Sequence, residues 1–564
     1  MARPGPDTLP PHPPSGYKTG EPIAYFSQNH VSGTGGGGRY GNIGVMPFVG
    51  SPTIHPLPQH PRDEFAGVGY YRARLGDSGI VAELTATEHT GVYSFAFPSG
   101  ALANVMIDTG TVIKIGGRSQ PGKGQGIVTG GFSEVVGDSA VAGRADCKGG
   151  WGHDYPYTVY FYALFDKAFD SCFSGAEDCI FSGEHAFGAG AKTVLRFGCE
   201  ERVELRIGIS YVSIANARSY VEKESSGIPF EDLRRTAENI WHEKLSSIKV
   251  KGGDEDAKKL FYTSMYRLMC MPTDLGVDTE NHLWKSGVRA FTDYYCLWDS
   301  VRNANSLLGL IYPEKEVELL NSLLDVAEHR GWLPDAWIAG HSAHVQGGSS
   351  ADVLFCEAML KGLKGIDYEK ALSYMIKNAE KSSPDPVLFG RYIDDYNSLG
   401  FVSDDVINCV SRHIEYSYQD YCIGRLADCL EHKDTALKYY RNSERLWNLW
   451  RNDLKCFAPK KKDGSWIDPF DPSKPMRKDY WNDPYFYEGT GYEWSFCGLH
   501  DIEGLVDGHG GAEEFSSRLD AFFEKDIYNW KEIILHTPYL YHYAGRPDKS
   551  SEKSRSVIAE KYTA

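Results

Sequence analysis

Over residues 1–225 apolar and polar side chains alternate in short runs, separated by clusters of Gly, Asp and Ser. In "RVELRIGISYV" the residues Val203, Leu205, Ile207, Ile209 and Tyr211 share one face, the two-residue period of a half-buried strand. "TVIKIGGR", "YTVYFYALF" and "TVLRFG" read the same way. Many short strands with turn residues between them predict a β-sandwich. From residue 229 the period lengthens. "PFEDLRRTAENIWHEKLSSI" predicts a connecting helix, with Pro229 near its start and acidic residues in the first turns, where the helix dipole favours them. "DEDAKKLFYTSMYRLMCM", "PEKEVELLNSLLDVAEH", "SADVLFCEAMLKGLKG", "DYEKALSYMIKNAEK", "DDVINCVSRHIEYSYQDYCIGRLADCLEH", "KDTALKYYRNSERLWNLW" and "GAEEFSSRLDAFFEK" continue with the helical period. Connectors of varied length between them suggest stacked helical hairpins. The pattern predicts a multidomain β + α chain: a β-sandwich over 1–225, a helical linker over 226–252 and a helical domain over 253–564.

Length agrees with this division, since 564 residues exceed what one compact core holds. The formal net charge of -17 argues against a nucleic-acid partner or an anionic membrane surface, both of which require a basic face. No apolar run is long enough to span a bilayer, and "MARPGPDTLPPHPPSGYKTG" lacks the apolar stretch of a signal peptide. The 12 cysteines include no C-x-x-C pair, so a structural zinc site is not expected; Cys172 and Cys179 are spaced for a local disulfide, and buried free thiols are the alternative. Aromatic residues make up 13%, a lean toward carbohydrate, whose apolar ring faces stack on flat side chains, although a large core uses rings too.

Four segments carry candidate chemistry. "GTGGGGRYG" contains a G-x-G-x-x-G at Gly33, Gly35 and Gly38, but the adjoining "RYGNIGVMPFVG" reads as a strand and not a helix, so it is a loop and not a dinucleotide site. "LWDSVR" sets Trp298, Asp299 and Arg302 within one helical turn. A capped helix with Arg302 as ion-pair partner of Asp299 accounts for it, and so does a ring edge and a carboxylate offered to sugar hydroxyls. "CGLHDIEGL" holds His500 and Asp501, a pair that is structural more often than catalytic. In "YFYEGTGYEWSF" Glu488 and Glu493 sit among aromatic rings, and Gly489 and Gly491 make Glu488 a loop residue. Apolar surroundings disfavour a charged carboxyl and would suit Glu488 to general-acid work; a structural Glu satisfied by Tyr hydroxyls is the competing account.

Taken together, these stretches resemble a known family. "YFSQNHVSGTGGGGRYGNIGVMP", "LWDSVR", "DYWNDPYFYEGTGYEWSFCGLHDIEGL" and "HTPYLYHYAGRPDKS" are similar, in order, to four motifs of the family 92 glycoside hydrolases, the calcium-dependent α-mannosidases. The resemblance implies an N-terminal β-sandwich, a helical linker and a C-terminal (α/α)6 barrel. It implies an inverting, exo-acting α-mannosidase, α-1,2-like, that removes terminal mannose from mannosides or N-glycans. One carboxyl of such an enzyme protonates the leaving oxygen while another activates water on the opposite ring face.

By motif position, Glu488 is the expected general acid, and Trp298, Asp299, Arg302, His500 and Asp501 the expected sugar contacts. Glu532 is the expected ligand of a Ca2+ ion, with the flanks K-E-I where the family has N-E-P. A secreted or extracytoplasmic location is also implied. "MARPGPDT" resembles an internal family segment, and "SRSVIAEKYTA" resembles the helix just before the D-D-x-G motif that supplies the base. The expectation is therefore a fragment with an incomplete barrel, inactive for want of its base. A catalytically inactive carbohydrate-binding relic and a glycoside phosphorylase of similar architecture are the alternatives.

Overall fold

The computed structural model describes the chain except residues 11, 14, 31–38, 115–123, 151–154, 177–178, 295–296, 475–482, 525–530 and 563–564; the G-x-G-x-x-G loop lies outside the described residues. Two antiparallel sheets dominate the first part. One has seven strands, in spatial order Gly5–Thr8, Ile23–Ser27, Gly44–Val49, Ala103–Asp108, Lys192–Arg196, Ser171–Ala176 and Cys179–Ser182. The other has nine: His185–Phe187, Gly124–Val136, Ala140–Gly150, Tyr157–Phe165, Arg202–Ser210, Thr90–Ala96, Val81–Ala86, Tyr70–Leu75 and Pro61–Gly67. Side chains of the two sheets meet in between, with Phe26 of the first sheet 6.4 Å from Tyr71 and 6.5 Å from Tyr93 of the second, ring centre to ring centre. The predicted sandwich is present.

In the strand Arg202–Ser210 the predicted inner residues Val203, Leu205, Ile207 and Ile209 are buried, but so is Arg206 on the other face. Helix α1 (Ile214–Glu224), which the sequence pattern did not announce, covers that outer face and packs Ala217 and Val221 on Ala140, Ala142 and Tyr162. Thr111–Lys114, expected as the start of a strand in "TVIKIGGR", pair with no sheet; Val112 and Ile113 are buried in a loop instead, and the rest of that segment is outside the described residues. The Cys172–Cys179 spacing does not make a disulfide. Register places Ala176 opposite Cys179, leaving Cys172 at the far end of its strand, so the thiols are roughly 13 Å apart along the ladder.

The expected linker helix, α2 (Phe230–Leu245), is packed on the nine-stranded sheet rather than spanning free, with Phe230 and Leu233 against Tyr70 and Val92 and Arg234 3.9 Å above the Tyr70 ring. The compact units also divide the chain differently from the 253 boundary. Unit one holds residues 1–252, 261–295 and 337–341, and unit two residues 253–260, 296–336 and 342–564. The reason is polar. Fully buried Glu280 accepts hydrogen bonds from Ser210, Tyr211 N (2.6 Å), Asn216 and Tyr220 (2.6 Å), and buried Asp293 accepts from Tyr40 and Thr273. A carboxylate with four donors removes the cost of its own burial and ties its segment to the sandwich.

The remaining helices are α3 (Glu255–Leu268), α4 (Leu297–Ser300), α5 (Ala304–Ile311), α6 (Pro313–Arg330), α7 (Ser350–Leu360), α8 (Tyr368–Glu380), α9 (Asp394–Leu399), α10 (Cys409–Cys429), α11 (Lys433–Ser443), α12 (Gly491–Trp494), α13 (Ile502–His509), α14 (Ala512–Glu524) and α15 (Pro547–Lys561). Every helical stretch expected from the pattern is there. In unit two α10 packs on α7, α8 and α11, and most of its residues are buried, including Arg412, His413, Glu415, Gln419 and Asp420. Buried Arg391 bridges Asp352 of α7 at 2.6 Å and Asp420 of α10 at 2.8 Å, so the internal charges are paired.

Candidate active site

Glu488 is the centre of the polar cluster in unit two. It is 5% exposed and holds φ at 54°, a left-handed conformation that a non-glycine residue adopts only when its surroundings enforce it. They do so on both sides. Asp483 Oδ1 accepts from Tyr485 N and Phe486 N at 2.9 Å each, Ser411 Oγ accepts from Tyr487 N at 2.9 Å, and Trp494 Nε1 donates to the Tyr487 carbonyl at 2.9 Å. After Glu488, Thr490 and Glu493 form a reciprocal capping box at the start of α12: Thr490 N donates to Glu493 Oε2 at 2.6 Å and Glu493 N to Thr490 Oγ1 at 3.3 Å. Glu493 is thus a cap, and the chemistry is left to Glu488. The left-handed turn is taken by Glu488 itself. Gly489 serves close packing, because a Cβ there would stand 2.5 Å from Ile533 Cδ1.

Trp298 fixes the carboxyl. Its Nε1 donates to Glu488 Oε2 at 3.3 Å, and its ring is wedged between Tyr487 (5.6 Å, edge-on) and Trp494 (6.1 Å). A Cβ on Gly347 would come within 1.9 Å of the indole, so only glycine leaves room for it. The ring has no accessible surface, and its N–H is given to Glu488. Arg302 lies 4.2 Å above the Trp298 ring and pairs with Glu415 of α10 at 3.0 Å, not with Asp299 as the helical spacing suggested. The line Glu415, Arg302, Trp298, Glu488 is a continuous support for one carboxyl.

Further charges surround it. Lys531 Nζ stands 3.7 Å from Glu488 Oε1, and Glu532 and Asp299 are its acidic neighbours. Burial first, then the Glu532 carboxylate, raises the Glu488 carboxyl well above the ordinary range, against the pull of Lys531. Asp299 is also shifted upward by the protein packed around it and by Glu532. Solvent reaches Asp299, which tempers that shift and makes it the carboxylate open to a hydroxylated ligand. Asp335 is buried and raised to about 6 by that burial; its Oδ1 accepts from Ser350 N at 3.0 Å, while Oδ2 has no hydrogen-bond partner among the described residues.

His500 and Asp501 are engaged elsewhere. Asp501 caps α13 through Gly504 N (3.0 Å) and accepts from Trp447 Nε1 (2.9 Å), so both of its oxygens are used. His500 bonds the Ser443 carbonyl at 3.2 Å, lies near parallel to Tyr418, and is held neutral by burial, its pKa lowered to about 4. Glu415 and Asp335 escaped the sequence reading, and Lys531 entered it only as the K of the K-E-I flanks of Glu532. Glu415 was signalled only by a helix with charges on every face, and its partner lies far away in the chain.

The expected calcium site can be tested on its donors. Glu532 Oε2 is buried without a hydrogen-bond partner among the described residues, which suits a metal. Among the described residues, however, no group of three His, Cys, Asp or Glu side chains is arranged to hold an ion, and the ammonium of Lys531 stands among the carboxylates. The described residues do not fit a calcium ion.

A sheet-built unit is thus followed by a helical unit that carries a buried, tightly held carboxyl among other carboxylates, a setting in which a carboxyl can keep a proton for transfer. Residues 1–210 match the model of the glycosyl hydrolase family 92 N-terminal domain and residues 216–564 that of its catalytic domain. The chain belongs to glycosyl hydrolase family 92 and is a glycoside hydrolase. It is similar to an uncharacterized secreted glycosidase of Arthroderma benhamiae, 28% identical over 614 residues, spanning 96% of this chain and 73% of that protein. Among solved structures it resembles a family 92 α-mannosidase of Bacteroides thetaiotaomicron in complex with mannoimidazole, at 25% identity and TM-score 0.89, covering all of this chain and 78% of the other. An inverting family 92 mannosidase of the same organism shares the fold at 22% identity and TM-score 0.87, covering 79% of that chain.

Proposed function

We propose that the chain is an inverting, exo-acting α-mannosidase that hydrolyses terminal mannose from mannosides or N-glycans, α-1,2-linked ones among them, with Glu488 as general acid. The carrying observation is Glu488 itself: a buried carboxyl, strained into a fixed backbone, held through one oxygen by Trp298 and kept protonated by its surroundings. A general acid must hold its proton at the working pH and present it at one place, and these contacts serve both needs. Asp299, open to solvent, is assigned to the hydroxyls of the terminal sugar. The leaving oxygen takes the Glu488 proton as the glycosidic bond breaks, and water attacks from the opposite ring face. The base for that water is assigned to no described residue. The resemblance to a mannoimidazole-bound α-mannosidase supports mannose as the sugar. A secreted location is supported by the Arthroderma relative. No helix among the described residues is long and apolar enough to cross a membrane.

The test compares wild type and Glu488→Gln on an α-mannobiose and on 4-nitrophenyl α-mannoside. Glu488→Gln is expected to lower kcat on the disaccharide by roughly 10²–10⁴-fold and much less on the nitrophenyl substrate, whose leaving group hardly needs a proton. Equal losses on both would remove Glu488 from the acid's role. Wild type that binds mannose without turnover would favour the carbohydrate-binding alternative.

A further inference from the structure

The carboxylates around Glu488 contain a cation supplied by the chain. Lys531 Nζ lies 3.7 Å from Glu488 Oε1, its side chain 28% exposed, so the ammonium sits at the cluster and not in bulk water. Its charge acts on three carboxyls at once, drawing down Glu488, Asp299 and Glu493 alike. Glu532, the next residue, begins the short turn Glu532–Ile534 and keeps Oε2 buried with no hydrogen-bond partner among the described residues. Had this oxygen been one of a metal's donors, the ion would have met Lys531 beside it. A calcium ion takes six to eight oxygens, and every one supplied here lies within the field of that ammonium.

We propose that the ammonium of Lys531 is the resident cation of this carboxylate cluster and keeps divalent metal out of it, so that this site is insensitive to calcium. The physical reason is like-charge repulsion. A single charge about 5 Å from a divalent ion, at the effective dielectric of a partly buried site, weakens ion binding by on the order of a hundredfold or more. The ammonium also lowers the net negative charge that Asp299 and Glu532 would otherwise concentrate beside Glu488, leaving less for a metal to neutralise.

The proposal is read out as ion binding, so it stands or falls independently of whether mannosides are cleaved. Calcium chloride is titrated calorimetrically into the chelator-stripped full chain, and thermal midpoints are recorded with calcium and with chelator. Wild type and Lys531→Arg are expected to take up no calcium here and to show the same midpoint in both buffers. Lys531→Gln, which removes the charge and leaves an amide oxygen, is expected to gain calcium binding at least about a hundredfold tighter, and Lys531→Gln/Glu532→Gln is expected to lose it again. Calcium uptake by wild type within threefold of Lys531→Gln would overturn the proposal. So would a Lys531→Gln chain that gains none, or a Lys531→Arg chain that gains as much, since the charge would then not be what decides. Circular dichroism of each variant separates loss of folding from loss of the ion.

Discussion

At the residue scale, the site shows two ways of using a carboxyl inside protein. Glu493 is spent on a helix cap, and its side chain answers a backbone need. Glu488, five residues earlier, meets one indole N–H and one ammonium, and its proton is held by burial and by the neighbouring Glu532 carboxylate. Replacing Trp298 by Phe removes that N–H while keeping an aromatic ring. Because the indole has no accessible surface, the loss is expected in kcat, about tenfold, with KM within twofold. Steady-state kinetics on an α-mannobiose would decide; a rise in KM with unchanged kcat would mean that the ring meets the sugar after all.

At the element scale, α10 carries charge through a packed interior. Its Glu415 pairs with Arg302, each less than a tenth exposed. Glu415→Leu would strand the guanidinium and is expected to cost about 3–5 kcal/mol in urea unfolding, whereas Glu415→Leu with Arg302→Met should cost clearly less. Earlier in the same helix, His413 is fully buried, its Nε2–H donating to the Arg445 carbonyl at 2.9 Å, and burial lowers its pKa to about 4. The folded state then binds fewer protons than the unfolded one between about pH 6.5 and about pH 4. The contribution of His413 is complete above pH 6.5 and is lost as pH falls through that window, up to about 3 kcal/mol. Unfolding of wild type and His413→Gln at pH 7 and pH 4.5 should show the wild type falling more steeply; parallel behaviour would mean that His413 does not titrate differently in the two states.

At the scale of the whole molecule, polar anchors decide which compact unit a segment joins. Residues 261–295 lie beyond the predicted domain boundary yet belong with the sandwich, because Glu280 gathers donors from the end of a strand and the start of α1. Glu280→Ala would leave two hydroxyls, an amide and a backbone N–H without their acceptor, a cost of about 3 kcal/mol or more. Limited proteolysis of that variant is expected to cut within 273–292 ahead of wild type; unchanged cleavage would show that apolar packing alone holds the segment.

Local pattern was enough for much of this. Alternation identified the sandwich, the longer period identified the helices, and the aromatic setting of Glu488 singled out a carboxyl that the fold does bury. All of these arise between residues near in sequence, where spacing alone determines which face a side chain joins. Pairing at a distance needed the tertiary structure. Arg302 had a near acid in Asp299 but took a buried one, Glu415, because a charge sealed from water gains more from a partner in the same low-dielectric space. Spacing alone offers the Trp298 ring edge to sugar hydroxyls, whereas in the fold the ring is enclosed with its N–H on Glu488, since accessibility depends on which helices close over a ring. Helix α1 was hidden because its apolar residues are few. Lys531 shows in the chain only as a flank of Glu532, and folding alone sets its ammonium against the carboxyl of Glu488.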